Sequence, residues 1–325
     1  MLAYIIRRLL YAVPILIGVN LITFMLFFMI NTPDDMARAQ LGAKQTTPQM
    51  IEAWKVEKGY DKPLFFNPEA SGIEKIDDTL FMQESLKLFA FDFGVSDANR
   101  DIAEDIRERM GPSLAIALPT FFIALVTNIS LALLLVLFRG SALDMGMMVI
   151  AVMIMSVSGL FYIIAGQVLF SKIWHWVPIS GYEPGWGAVK FVILPVLIGV
   201  FAGLGAGMRW YRSIFLEQVN QDYVRTARAK GLSEIAVLFK HVLKNGMLPI
   251  LTGIVVVIPS LFMGSLIMES FFGIPGLGSY TIDAINAQDF AIVKAMVFLG
   301  SVLYIAGLIL TDISYTLFDP RVKLS

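Results

Sequence analysis

Two imidazoles, no thiol and one concentrated run of positive charge limit the chemistry open to this chain. His175 and His241 are the only histidines and there is no cysteine, which excludes disulfides and thiolate metal sites. Neither histidine belongs to an HExxH pattern, so a zinc site would have to be completed by carboxylates. An intramembrane serine protease needs a serine and a histidine meeting inside the bilayer. His175 instead stands between Trp174 and Trp176, and His241 lies in a basic segment. No G-x-x-x-x-G-K-[ST] run is present to cradle a nucleotide. Gly203-x-Gly205-x-Gly207 is no dinucleotide fingerprint, because it sits in an apolar run and follows no strand. These glycines, like Gly264-Ser265 and Gly300-Ser301, read as small residues where helix backbones approach closely in lipid. The expectation is a chain that is no enzyme and binds no metal or cofactor, and whose energy comes from a partner.

The elements that would position any site are membrane helices. The 325 residues are 57% hydrophobic and 16% charged, with a mean hydropathy of +0.73, against about 25% charged in an average soluble domain. A net charge of −1 indicates no nucleic-acid partner. Six uncharged spans are legible, at 9–30, 113–138, 145–171, 191–208, 246–268 and 295–311. The first would measure about 33 Å as a helix, enough to cross the hydrocarbon core. Ala37-Arg38-Ala39 resembles a signal-peptidase site, but Asp34 and Asp35 separate it from the apolar run. A signal core is also only about 7–15 residues long, so a retained first helix is expected. Proton- or sodium-coupled carriers generally need ionisable groups at depth. The uncharged spans therefore argue against an ion-coupled secondary transporter.

Residues 31–112 differ in kind, with 16 Asp and Glu against 10 Lys and Arg and breaks at Pro33, Pro48, Pro63 and Pro68. Thr47 as cap, Pro48 at the first helical position and Gly59 at the end predict a short helix over 47–59. A second helical patch is expected over 78–90. The chain thus divides into a first helix (1–30), a small extramembrane domain (31–112), a five-helix core (113–316) and a tail (317–325). Orientation follows from the short loops. With the N-terminus inside, the inner segments hold Arg7, Arg8, Arg139, seven basic residues of 209–249, Arg321 and Lys323; the outer short loops hold Lys172, Lys190 and Lys294. Both termini are therefore expected in the cytoplasm, with 31–112 outside and Trp174, Trp176 and Tyr182 forming an aromatic belt.

The loop 209–249 is too long for a simple connector, since helix connections usually take about 2–8 residues. Asn220 or Asp222 can cap a helix running to Lys230, Gly231 can end it, and Ser233 can cap a second one. Tyr223 and Ala227 then share a face, flanked by Arg225, Arg228 and Lys230. A solvated cationic loop would explain the charge but not a face of aromatic and small residues between two caps. Such a face suits a helix seated in a partner's groove.

Here a resemblance becomes specific. YVRTARAKGLSE (223–234) followed by Leu248-Pro249 resembles the cytoplasmic coupling motif of ABC importer permeases, closest to the dipeptide and oligopeptide branch. YIIRRLLYAVP (4–14), YDKP (60–63), FDFG (91–94), PSLAIALPTF (112–121), Glu269 with PGLG (275–278) and the terminal DPR (319–321) are similar too, and in order. In the general motif (EAA, three residues, Gly, nine residues, I-x-L-P), Ala227 and Gly231 match. Arg225 and Thr226 replace the glutamate and the first alanine, and Leu-Pro arrives five residues late, as in the peptide branch. The resemblance implies an all-α membrane protein with the type I ABC importer permease fold, six transmembrane helices and an extracytoplasmic insertion between the first two. It implies a multi-pass subunit of the bacterial inner membrane that pairs with a second homologous permease above two cytoplasmic ATPases, which would hold ATP and Mg. A substrate-binding protein would dock outside, where 31–112 lies. Tyr223, Val224, Arg225, Thr226, Ala227, Arg228, Ala229, Lys230 and Gly231 would form the ATPase-coupling helix. Glu269, Pro275, Gly276 and Gly278 would lie at the outer mouth, as a gate or as a plain turn. Solutes of the branch include dipeptides, longer peptides, nickel complexes, glutathione and peptide antibiotics. The rivals are an ABC exporter half, although exporter halves commonly carry their ATPase, and a non-transporting scaffold or receptor.

The charge asymmetry gives a direct test in a background without cysteine. Ser71→Cys is expected to react with an impermeant thiol reagent added to intact cells, and Ser233→Cys to stay unlabelled. The opposite pattern would reverse the orientation.

Overall fold

The computed structural model describes residues 2–42 and 46–318, and among these the regular elements are helices, with one isolated bridge between Val95 and Asp101. Five helical stretches are long and apolar enough to cross a membrane, or six if one bent pair counts as a single span. In chain order the helices that bear on the site are α1 (Leu2–Met25), α2 (Pro33–Leu41), α3 (Pro48–Lys58), α4 (Ile102–Leu137), α5 (Ala142–Ser156) and α6 (Gly159–Gly166). They continue with α7 (Val189–Val219), α8 (Asp222–Ala229), α9 (Glu234–Val237), α10 (Leu243–Leu261), α11 (Leu266–Phe272), α12 (Leu277–Ala287) and α13 (Phe290–Phe318).

Three spans depart from the expected outline. α4 starts at Ile102 and runs through Gly111 and Pro112 without a break, so the acidic stretch before 113 is the first part of the same rod. Its 36 residues amount to about 54 Å, well beyond the roughly 30 Å of a hydrocarbon core. α7 likewise continues past Met208 to Val219, making the first part of the basic loop a helical extension. The run at 145–171 is two helices that meet at 88°. Val157 and Ser158 between them adopt extended backbone. The Tyr162 hydroxyl donates to the Ile154 carbonyl at 2.8 Å, meeting part of the demand that a helix end creates in an apolar setting.

Contacts divide the chain into two units. The first comprises residues 1–109 with 280–306, the second 110–279 with 307–325. The acidic segment is therefore bound to the first helix and to part of the last one, not set apart from them. The cause is an aromatic core of Phe24, Phe28, Trp54 and Leu80, with Tyr60, Phe81 and Phe290 packed against it. Phe24 and Phe28 stack at 4.8 Å, and Phe28 meets Tyr60 edge-on at 5.2 Å. α3 forms as its sequence predicts: the Thr47 side chain accepts from Met50 N–H, Pro48 opens the helix, and Gly59 ends it in the left-handed region at φ 72°. The second predicted patch is helical over 80–89.

Lys294 is the least expected member of this unit. Expected in an outer loop, it lies in α13 and is buried. Its ammonium pairs with Glu84 and sits 4.8 Å from the Phe28 ring centre and 5.7 Å from that of Tyr60. A buried cation survives only with such partners.

In the second unit, α5 and α7 approach closely because Gly205 has no side chain; a Cβ there would come within 2.5 Å of the Ala151 carbonyl oxygen. Gly207 faces the Asn128 side chain in the same way, while Gly203 meets open space. The same helix pair carries a two-toothed ion pair, Arg212 Nε and Nη2 to Asp144 at 2.9 and 2.7 Å.

Removing one partner of a buried ion pair typically costs about 3–5 kcal/mol, whereas replacing both with apolar groups is far milder. Lys294→Met is accordingly expected to lower the thermal midpoint of the purified protein strongly, and the Glu84→Leu/Lys294→Met double variant to recover much of the loss. A single variant as stable as the parent would show that the pair does not hold this unit together.

Candidate functional site

The basic connection between α7 and α10 folds into a compact bracket. α8 has eight residues and opens at Gln221, whose backbone is extended (φ −75°, ψ 153°) and whose side chain makes no capping bond. Neither Asn220 nor Asp222 is the cap. Asp222 is instead the first helical residue, where its charge faces the positive end of the helix. The other end follows the sequence reading. Gly231 sits at φ +79°, its N–H donates to the Arg228 carbonyl at 2.9 Å, and Leu232 N–H reaches the Ala227 carbonyl at 3.4 Å. That is a Schellman closure, and it favours glycine at this position. Ser233 caps α9 by accepting from Ala236 N–H at 3.4 Å.

The structure reverses the expected facing of α8. Val224 and Ala227 are buried in the chain's own core with Phe215, Val219, Val237, Leu238 and Val242. Tyr223 is half-buried beside them and donates its hydroxyl to Gln218 Oε1 at 2.8 Å. Burial raises the Tyr223 phenol above its ordinary pKa. The Tyr223/Ala227 face is thus taken internally and does not wait for a partner. The physical reason is length, because isolated helices below about 12–15 residues are marginal in water. The exposed stripe consists of Asp222, Arg225, Thr226, Ala229 and Lys230, spaced i, i+3, i+4, i+7 and i+8 along one side. Arg228 is not free loop charge either. Its Nε and Nη2 bind Glu234 at 2.8 and 3.0 Å, fastening α8 to α9 across the Gly231 turn.

Sequence reasoning offered Asp222 only as a possible cap and omitted Glu234. Asp222 was findable from its spacing to Arg225 and Thr226, which it contacts through a 3.3 Å ion pair and a 3.0 Å backbone bond. Glu234 carried no local signal, since its partner stands across a turn.

The second group of predicted residues forms a carboxylate nest. Glu269 in α11 is 0% exposed. It accepts from Ser265 N–H at 3.0 Å and Ser279 N–H at 3.1 Å, with further bonds from the Ser113 hydroxyl and Gly278 N–H. Leu277 N–H donates in turn to the Ser113 oxygen at 2.8 Å. Desolvation pushes the Glu269 carboxyl above the ordinary range, and these hydrogen bonds oppose the shift. Gly264 and Gly276 are required by proximity, since a Cβ on either would collide with the carboxylate oxygens. Gly278 passes so close that a Cβ would lie 2.6 Å from the Ser265 carbonyl carbon. PGLG is therefore the segment of chain that wraps Glu269, and the acid organises the turn from inside it. Ser113 was missed because a distant stretch supplies it, whereas Ser265 and Ser279 stand only four and ten residues from Glu269 and could have been considered. Beside the nest lies a cavity of about 330 Å³ lined by Ser113, Thr120, Gly199, Ser260, Met268 and Glu269 among others.

No group of three His, Asp or Glu is placed to hold a metal among the described residues. The terminal DPR lies outside them.

Residues 129–324 match the family of binding-protein-dependent transport system inner membrane components, and residues 1–71 match the N-terminal region of such membrane components. A provisionally assigned peptide transport system permease protein of Brucella suis biovar 1 (strain 1330) is 34% identical over 99% of both chains. The di/tripeptide transport system permease protein DppB of Pseudomonas aeruginosa (strain UCBPP-PA14) is 30% identical over 99% of both. The oligopeptide transport system permease protein AppB of Bacillus subtilis (strain 168) is 29% identical over 99% of this chain and 100% of its own. The family consists of importer components, which removes the exporter alternative. This chain therefore belongs to the binding-protein-dependent transport system inner membrane component family, as a membrane permease subunit of an ABC importer.

Proposed function

We propose that the chain forms half of the pathway of an ATP-driven peptide importer, and that the exposed side of α8 is where the ATPase acts on it. The observation that carries the reading is the bracket itself. A two-turn helix is fixed to its own chain by Val224, Ala227 and the Arg228–Glu234 pair, leaving Asp222, Arg225, Thr226, Ala229 and Lys230 outward. A surface held this rigidly can receive a push and pass it to α7 and α10, whose Phe215, Val219 and Ile250 complete the same core.

In this reading two cytoplasmic ATPase subunits hold ATP and Mg, a second homologous permease completes the pathway, and a binding protein delivers the solute from outside. Both termini and α8 face the cytoplasm. Peptides are the solute class, following the named activities of the relatives, and the cavity beside Glu269 belongs to this chain's share of the path. The Glu269 nest fixes the wall of that cavity, so Glu269 and Pro275–Gly278 act as a rigid lip and not as a moving charge.

Ala229 separates coupling from folding. At a solvent-facing site a substitution usually changes stability by no more than about 0.5 kcal/mol, so Ala229→Trp is expected to insert and fold as the parent does. Pressed against a partner, the added ring is expected to abolish transport in the reconstituted complex and to uncouple or silence its ATP hydrolysis. Ala227→Glu is the contrasting variant, expected to unfold the bracket by burying an unpaired charge and to lower the yield of folded protein. A folded Ala229→Trp protein that transports peptide at the parental rate would overturn the assignment.

A further inference from the structure

A cavity of about 310 Å³ lies wholly within the first unit and has no part in the importer reading above. Its walls come from α2, α3, the helical patch 80–89, the turn 93–99 and the opening of α13. Trp54, Tyr60, Phe93 and Phe290 give it aromatic surface, and charged side chains stand among the rings. These walls are tied to one another without any ligand. Trp54 Nε1–H donates to Gln40 Oε1 at 2.9 Å, the Gln40 amide donates to Asp97, and Lys58 pairs with the same carboxylate at 2.5 Å. Asp97 N–H donates in turn to Asp289 Oδ2 at 2.7 Å, just ahead of α13. A frame already in place leaves little ordering cost for binding.

The charges around the cavity are matched except for two. Of the five charged residues in its lining, Lys58 is paired with Asp97, and Glu84 with the buried Lys294. Glu57 and Lys87 remain. Neither pairs with the other or with any other described residue, and both are exposed. They stand on different elements, Glu57 in α3 and Lys87 in the patch 80–89. Two such charges on an open surface would simply be solvated; here they share a cavity with four aromatic rings. A metal ion would find one free carboxylate, and among the described residues no group of three acidic or histidine side chains is placed to hold it. A simple anion would be drawn to Lys87 and repelled by Glu57, and a simple cation the reverse. A molecule bearing both an ammonium and a carboxylate satisfies the two together, and its apolar part can cover the rings. Free α-amino acids and short peptides with open termini have that chemistry.

We propose that this cavity is a binding site for a small zwitterion, an amino acid or a short peptide, with its ammonium on Glu57 and its carboxylate on Lys87. The site uses neither the α8 bracket nor the cavity beside Glu269, so the inference stands without the importer reading.

The test titrates the full-length chain in lipid nanodiscs with L-alanine and with L-alanyl-L-alanine, followed by calorimetry. Saturable binding is expected, and the tighter of the two probes tells amino acid from peptide. Glu57→Gln and Lys87→Met are each expected to weaken it by about tenfold or more, the loss of one charged hydrogen bond. Both positions are exposed, so both variants should keep the parental thermal midpoint. Blocked probes then assign the two ends. Acetylating the amino group is expected to weaken binding to the parent by a similar factor and to add little in Glu57→Gln. Amidating the carboxylate is expected to do the same in the parent and to add little in Lys87→Met. Binding of the probes at another place in the chain would not give this crossed pattern. Parental affinity in both folded variants would overturn the inference and place any binding elsewhere. No binding of either probe by the parent at millimolar concentration would also overturn it, leaving a solvated crevice.

Discussion

An eight-residue helix in water lacks the hydrogen bonds to hold itself, because nucleation fixes several residues before propagation repays the loss of freedom. α8 depends on burying Val224 and Ala227 under Phe215, Val219, Val237 and Val242. The rest of the bracket follows from that burial. The chain must turn sharply at Gly231 to bring α9 over the same core, and Ser233 must restart the helix at once. The Arg228–Glu234 pair closes the gap that the turn leaves on the outside. An exposed pair of this sort contributes little alone, but here it joins two elements already placed by apolar packing, so its role is alignment more than stability.

Charge inside this molecule obeys the same economy in both units. Asp144 is matched by Arg212, Lys294 by Glu84 and two aromatic faces, and Glu269 by hydrogen-bond donors with no cation among the described residues. The last arrangement differs in kind. A carboxylate solvated by backbone N–H groups fixes the path of the chain that supplies them, which is why glycines surround it. The ion pairs instead fasten one helix or segment to another. Structural polarity therefore concentrates where segments distant in sequence must be held in register.

Much of this was legible from residues alone, for identifiable reasons. Thr47-Pro48 with Gly59, Gly231, and Ser233 were readable because caps act within four residues of themselves. The facing of α8 was not. Tyr223, Val224, Ala227 and Ala229 offer small or apolar groups on more than one side, and two turns give too little periodicity to choose between the chain's own core and a partner. Lys294 looked like a loop charge because its partner Glu84 lies 210 residues away. The gate-or-turn ambiguity at Glu269 had the same origin, since Ser113 meets it only in three dimensions. The break in the third span gave no warning either: Val157-Ser158 lies in an unbroken apolar run, and a Tyr162 hydroxyl bond stabilises the bend from four residues beyond it.

The proposed transmission from α8 would depend on what that helix cannot do. With Val224 and Ala227 packed in the core and its C-terminal end closed at Gly231, α8 has no independent rotation to absorb a displacement. Ile250 of α10 and Phe215 of α7 belong to the same buried cluster, and close-packed side chains resist compression. At Gly246 a Cβ would lie 2.7 Å from the Phe215 ring, so α10 and α7 approach to the limit that glycine permits. A load on Arg225, Thr226 or Ala229 would then be carried by two long apolar helices together. One of them, α10, leads through Gly264 into the Glu269 nest at the cavity wall.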